Sequence, residues 1–172
     1  RKGKDVTDEY ITGPSGTLGV QRSMESKAQD SRIVFVVHGR NDEAREALFI
    51  FLYSIGLHPI EWSQAIQDTG EAAPYVGRIL DVAFEKAQAV IVLMTPDDEA
   101  WLRRVFRKPD DPPHESRLTP QPRQNVLFEA GMAMGRADKR TILVQLGDLR
   151  PFSDIFGHHV IRFDGIPQRR ND

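Results

Sequence analysis

Two stretches of this chain are apolar at every position, Ile33-Val34-Phe35-Val36-Val37 and Ala89-Val90-Ile91-Val92-Leu93-Met94. A third, Thr141-Ile142-Leu143-Val144-Gln145-Leu146, is nearly so. A strand wetted on one face alternates apolar with polar residues. An unbroken β-branched run instead describes a strand covered on both faces, which is the interior of a parallel sheet. The segments between the runs carry helical spacing. Glu43 to Ser54 places Ala44, Leu48, Phe51 and Leu52 on one stripe, and Gly56 ends it. A second helix, opened by Pro74, has Val76, Ile79, Leu80, Ala83 and Ala87 on its buried face.

Two weaker strands complete the pattern. Leu57 to Trp62 reads as an edge strand, because Pro59 cannot donate to a ladder. His159 to Phe163 reads as the last strand, after a short helix over Pro151 to Phe156. Ser63 to Ala73 reads as a polar loop. The long connection from Thr95 to Arg123, rich in proline, contains at most a short helix over Glu99 to Phe106. Connections of this length are usually functional. The alternation predicts an α/β fold, a flavodoxin-like doubly wound five-stranded parallel sheet of order 2-1-3-4-5. It spans residues 31–167. Residues 1–30, polar and rich in Gly, Ser and Lys, read as a linker or tail, with a short strand or docking segment over Val6 to Ile11. Residues 168–172 read as a polar tail. The chain opens on Arg, so an upstream region is expected.

Composition removes several classes of function. A net charge of −2 argues against nucleic acid as a bulk partner. The absence of cysteine excludes disulfides, thiolate metal sites and a cysteine nucleophile, and suits a reducing cytoplasm. No apolar run reaches the roughly 18 residues of a membrane span. Neither GxGxxG nor GxxxxGK[ST] follows the first strand, which argues against a dinucleotide redox site and a P-loop.

In such a sheet, ligands bind beyond the carboxyl ends of the strands at the switch between strands one and three. The loop His38-Gly39-Arg40-Asn41-Asp42 leaves strand one there, and Thr95-Pro96-Asp97-Asp98 leaves strand three. The connection then feeds a helix from about Asn125, its expected N-cap, to Ala137. Topology therefore gathers Glu129, Arg40, Asn41, Asp97 and Asp98 around one crevice. Each has a plainer reading. An acid near a helix start is favoured by the macrodipole alone. Gly39 could supply a tight turn and Arg40 a solvated charge. Asp97 and Asp98 form either a metal-binding pair or a capping turn, and Trp62 either covers the core edge or stacks on a ring. His38 reads as a structural residue. His58, His114, His158 and His159 have no metal-ligand spacing.

The segments Val36-Val37-His38-Gly39-Arg40-Asn41, Leu93-Met94-Thr95-Pro96-Asp97-Asp98 and Arg123-Gln124-Asn125-Val126-Leu127-Phe128-Glu129-Ala130-Gly131 resemble bacterial TIR-like domains. Those domains act as effectors in cyclic-nucleotide-triggered antiphage defence. The resemblance implies NAD⁺ as substrate rather than cofactor, with no metal, cleaved at the nicotinamide–ribose bond by a glutamate matching Glu129. It also implies self-association through TIR surfaces and an upstream sensor region in the same protein. Arg40 and Arg123 would then hold the pyrophosphate, while Asn125 and Asp97 would bind ribose hydroxyls or orient Glu129. Gly39, Asn41 and Asp98 would line the same crevice, with Trp62 and Ser63 at its border. Phe128, Ala130 and Gly131 would keep it dry. Asn125 departs from the Trp or Cys that many animal and plant relatives carry four residues before the glutamate. A non-catalytic TIR assembly module is the alternative reading. A phosphoacceptor domain using Asp97 or Asp98 is a third.

Overall fold

The computed structural model describes residues 32–152, 155, 157–158 and 160–163. The expectations for residues 1–30 and 168–172 lie outside them. So do His159 and positions 153, 154 and 156 of the short helix expected near the end of the chain.

The apolar runs form strands β1 (Ile33–His38), β3 (Ala89–Met94) and β6 (Thr141–Leu146), joined by β2 (His58–Ile60) and β7 (Val160–Phe163). They make one five-stranded sheet of order β2-β1-β3-β6-β7, parallel throughout. The remaining strands, β4 (Asp98–Ala100) and β5 (Thr119–Gln121), pair antiparallel as a separate hairpin inside the long connection. The expected sheet order therefore holds, with a hairpin inserted after its third strand. The helix expected over Glu99 to Phe106 is replaced by β4 and a single 3₁₀ turn at Arg104–Phe106. Pairing with Thr119–Gln121 gives Asp98–Ala100 ladder bonds that a short helix would have had to supply internally.

Side chains of the central strands alternate between two apolar clusters, so both sheet faces are covered. Val34, Val36, Ile91, Leu93 and Val144 face helix α1 (Asp42–Ser54). Phe35, Val37, Val90, Val92 and Leu143 face helices α2 (Trp62–Thr69), α3 (Val76–Lys86) and α5 (Gln124–Ala137). A fourth helix, α4 (Pro113–Ser116), is one turn within the hairpin connection. Full burial of each large apolar side chain contributes about 1.5–3 kcal/mol, so these two clusters hold the sheet.

Helix α2 corrects the loop expected over Ser63 to Ala73. Its polar residues, Gln64, Gln67 and Asp68, hide a short stripe in which Ala65 is fully buried and Trp62 and Ile66 pack on the core. Gly70 ends it at φ 68°. Trp62 accordingly starts a helix instead of ending a strand. Helix α1 also differs in one residue. Phe51 is exposed, and Phe49 takes the inward place beside Leu48 and Leu52, with its ring edge-on to His38 at 6.5 Å.

Candidate active site

A cavity of about 530 Å³ opens beyond the carboxyl end of β1. Its floor is β1 and the following His38-Gly39-Arg40. Its walls are the first residues of α2 and α3, Trp62 and Val76, and the first half of α5 from Arg123 to Glu129. α2 opens directly where β2 ends and α5 opens after the connection that leaves β3, so both helix starts stand on the carboxyl-end rim of the parallel sheet.

Glu129 lines this cavity. It is not in the first turn of α5, which carries no acid, so the macrodipole, whose effect fades within that turn, does not account for it. Val126 and Ala130 are buried on either side and fix the helix rotation that turns Glu129 towards β1. Among the described residues its carboxylate has neither a hydrogen bond nor an ion pair. Burial without a partner raises its pKa from 4.5 to about 7, because a desolvated carboxylate resists ionisation. A carboxyl group so displaced in a cleft marks a candidate site. The buried apolar lining of the cavity comes from Phe35, Val37 and Val126. Phe128 lines the cavity but is 59% exposed, and Gly131 is exposed, so these two do not supply the dryness expected of them.

Of the other residues expected here, Gly39, Arg40, Trp62, Arg123 and Asn125 line the cavity with Glu129. The Arg40 and Arg123 guanidinium groups have no ion-pair partner among the described residues, which leaves both able to receive an anion. Asn125 is not the N-cap. That position belongs to Arg123, and Asn125 lies in the first turn.

Asn41, Ser63, Asp97 and Asp98 are not among the lining residues. Asn41 caps α1, its side-chain oxygen accepting from the Ala44 amide at 3.0 Å. Asp97 accepts the Arg40 backbone N–H at 2.6 Å and the Thr95 hydroxyl at 2.7 Å, so both oxygens are engaged. Asp98 sits in β4 opposite Gln121. The Ser63 hydroxyl donates to Glu61 at 3.3 Å.

Glu61 is the participant that the sequence did not reveal. Its carboxylate meets His38 Nε2 at 3.2 Å and Arg45 Nη1 at 3.7 Å. The other ring nitrogen of His38 lies 2.9 Å from the Gly39 carbonyl. Both nitrogens thus face acceptors, and the ring ties β1, its exit loop and the start of α2 together. A Glu immediately before a Trp, at the end of an edge strand, was the available signal.

A parallel five-stranded sheet of order β2-β1-β3-β6-β7 with helices on both faces is the flavodoxin-like α/β architecture that TIR domains share. The family "CAP12/Pycsar effector protein, TIR domain" matches residues 33–165. The chain belongs to that family, the TIR effectors of antiphage defence. It is 33% identical over 134 residues to the Escherichia coli K12 "Uncharacterized protein YuaY", covering 74% of this chain and 38% of that protein. It is 29% identical over 119 residues to the Dictyostelium discoideum "Protein tirC", covering 69% of this chain and 54% of the relative. The chain thus spans 38% and 54% of the lengths of these two relatives. Among the described residues no helix is long and apolar enough to cross a membrane.

Proposed function

We propose that the domain is an NAD⁺ glycohydrolase in which Glu129 stabilises the breaking nicotinamide–ribose bond. The observation that carries this reading is a carboxylate held near pKa 7 by burial and without a partner among the described residues, in a cavity also lined by two arginines that have no ion pair among those residues. Nicotinamide leaves as a neutral base from a cationic substrate, so no acid is needed to protonate it. The ribose develops oxocarbenium character as the C1′–N bond lengthens, and a carboxylate in dry surroundings stabilises that charge strongly. The cationic substrate beside Glu129 also favours its ionised form. Water then adds to C1′ and loses a proton, giving ADP-ribose, nicotinamide and H⁺. Arg40 and Arg123 suit the pyrophosphate, where guanidinium forks pair well with phosphate oxygens. Asn125 suits a ribose hydroxyl, and Trp62 bounds the base.

In this reading the domain acts in the cytoplasm, on its NAD⁺ pool, when copies associate in response to a sensor region of the same protein. Exposed apolar side chains such as Ile50 and Val105 favour association. They also suit the alternative, a non-catalytic assembly module. Incubation of concentrated protein with NAD⁺ and measurement of nicotinamide separates the two. Release that Glu129→Gln abolishes supports the hydrolase. Assembly with NAD⁺ left intact supports the module, and release unchanged by Glu129→Gln removes Glu129 from the chemistry.

A further inference from the structure

The peptide between Gly39 and Arg40 is held on both of its polar atoms. Its N–H, from Arg40, donates to Asp97 at 2.6 Å. Its carbonyl, from Gly39, lies 2.9 Å from Nδ1 of His38. A peptide is a rigid plane, so two such contacts fix its tilt and with it the direction in which residue 40 leaves. The His38 ring is held in turn from its far side, where Nε2 meets Glu61 at 3.2 Å. Phe49 stands edge-on to the ring at 6.5 Å. Glu61 has further ties. The Ser63 hydroxyl donates to its other oxygen at 3.3 Å, and Nη1 of Arg45 on α1 lies 3.7 Å away. Glu61 is not among the residues lining the cavity, although its neighbour Trp62 is. It occupies the N-cap position of α2 with extended backbone, and its side chain makes no capping bond there. Helices favour Asn, Asp, Ser or Thr at that position. The longer carboxylate of Glu61 reaches past its own helix to His38 instead.

We infer that Glu61 is a positioning residue that sets the spacing between two grips of the cavity, the Arg40 cation and the Trp62 ring. The inference rests on the reading of this cavity as an NAD⁺ site. Through His38 the carboxylate fixes the Gly39–Arg40 peptide, and through its own backbone it carries Trp62. One side chain thus locks the start of α2 to the exit of β1, at the edge where β1 and β2 pair. A dinucleotide must meet both grips at once, with its pyrophosphate at Arg40 and a base against Trp62. A mononucleotide has a single phosphate and no second base, so it depends less on their spacing. Glu61 therefore favours the dinucleotide. A shift of about 1 Å in a positioning group is enough to lose productive binding. Glu61 acts through His38 and Trp62 and not on the reacting atoms.

Substitutions at position 61 test this. They are read by initial rates with NAD⁺ and with nicotinamide mononucleotide, and by calorimetric binding of NAD⁺ to the same variants carrying Glu129→Gln. Glu61→Asp is the decisive one. Aspartate is a preferred N-cap, so α2 and the Tm are kept or improved, but a side chain one methylene shorter no longer reaches His38. It is expected to raise KM and Kd for NAD⁺ about tenfold, with kcat little changed and a smaller loss for the mononucleotide. Glu61→Ala should do the same. Glu61→Gln should keep most of the affinity, since a carboxamide can either donate to the ring nitrogen or accept from it. Unchanged KM and Kd in Glu61→Asp overturn the inference. So does an equal loss for both substrates, or a fall in kcat alone, either of which would make Glu61 a general support of the fold. Weakened NAD⁺ binding in a domain that releases no nicotinamide supports the positioning role and overturns the hydrolase. A domain that binds no NAD⁺ overturns both.

Discussion

Asp97 and Gly39 interlock across the rim of the sheet: Oδ2 of the carboxylate fills the space that a Cβ on residue 39 would need. The same oxygen accepts the Arg40 amide at 2.6 Å, and the other accepts the buried Thr95 hydroxyl. The loops leaving β1 and β3 are thereby clasped at the point where Arg40 enters the cavity.

Gly39→Ala is expected to force this clasp apart. The collision is with a carboxylate held from two sides, so the loop must move, and destabilisation of about 1–3 kcal/mol follows for overpacking of this kind. Urea unfolding checks the stability. A KM for NAD⁺ that rises along with it would show that the clasp also holds Arg40 in place. Asp97→Asn, which keeps the shape but loses charge-assisted bonds, should cost less, about 1 kcal/mol.

Removing the carboxylate should uncouple activity from stability. Glu129→Gln is expected to lower nicotinamide release by about 10²-fold or more, the usual loss when an electrostatic stabiliser of the transition state is removed. The same substitution should stabilise the fold at pH 8. The folded-state pKa is raised, from 4.5 to about 7. The native state therefore keeps a proton that the unfolded chain has released between those values. The stability contributed by this group is fully present below pH 4.5. It is lost as pH rises through 7. Allowing for the solvent that still reaches the side chain, the gain at pH 8 should be about 1–2 kcal/mol, vanishing near pH 4. Thermal melts of both proteins at the two pH values decide this.

The pH profile of the reaction follows from the same residue. If the ionised form stabilises the ribosyl cation, kcat/KM rises with pH and levels off above about 7, the value for free Glu129. The kcat profile should turn at lower pH, because bound cationic substrate favours the carboxylate. A kcat/KM that falls through pH 7 would assign Glu129 the role of a proton donor instead.

Arg40→Ala and Arg123→Ala should each raise KM for NAD⁺ by about tenfold to a hundredfold, with kcat less affected, as expected for loss of a charge-assisted bond worth about 1.5–3 kcal/mol. Lysine at either position should recover only part, since a point charge lacks the guanidinium fork. Initial rates with NAD⁺, set beside those with nicotinamide mononucleotide, check whether the loss lies at the pyrophosphate.

The sheet was legible because β1 and β3 are buried on both faces, and that condition writes itself into nearly every residue of a run. Glu129 was legible as a position: the topology carries α5 to the rim, and the motif adds the rest. What escaped notice depends on contacts between residues far apart in sequence. Glu61 looks like any edge-strand acid until His38 and Arg45 converge on it. Asp97 looks like a ligand until Gly39 and Arg40 are seen to occupy it. Helix α2 was missed because its core contact rests on Ala65 and Ile66 amid amides and acids, too little apolar surface to register as a period. The exchange of Phe51 for Phe49 turns on which ring fits against His38, and spacing does not encode that choice.

Strand β2 is only three residues long, and its middle residue is Pro59. It closes one side of the sheet with a position that has no amide hydrogen to offer. A protein proposed to work when its copies associate runs the risk that they join by strand addition, the route to irreversible fibrils. Pro59 blunts that route on the β2 side. Joining there is left to side chains, whose contacts can be released again, so that an effector built this way could be dismantled once its signal has passed.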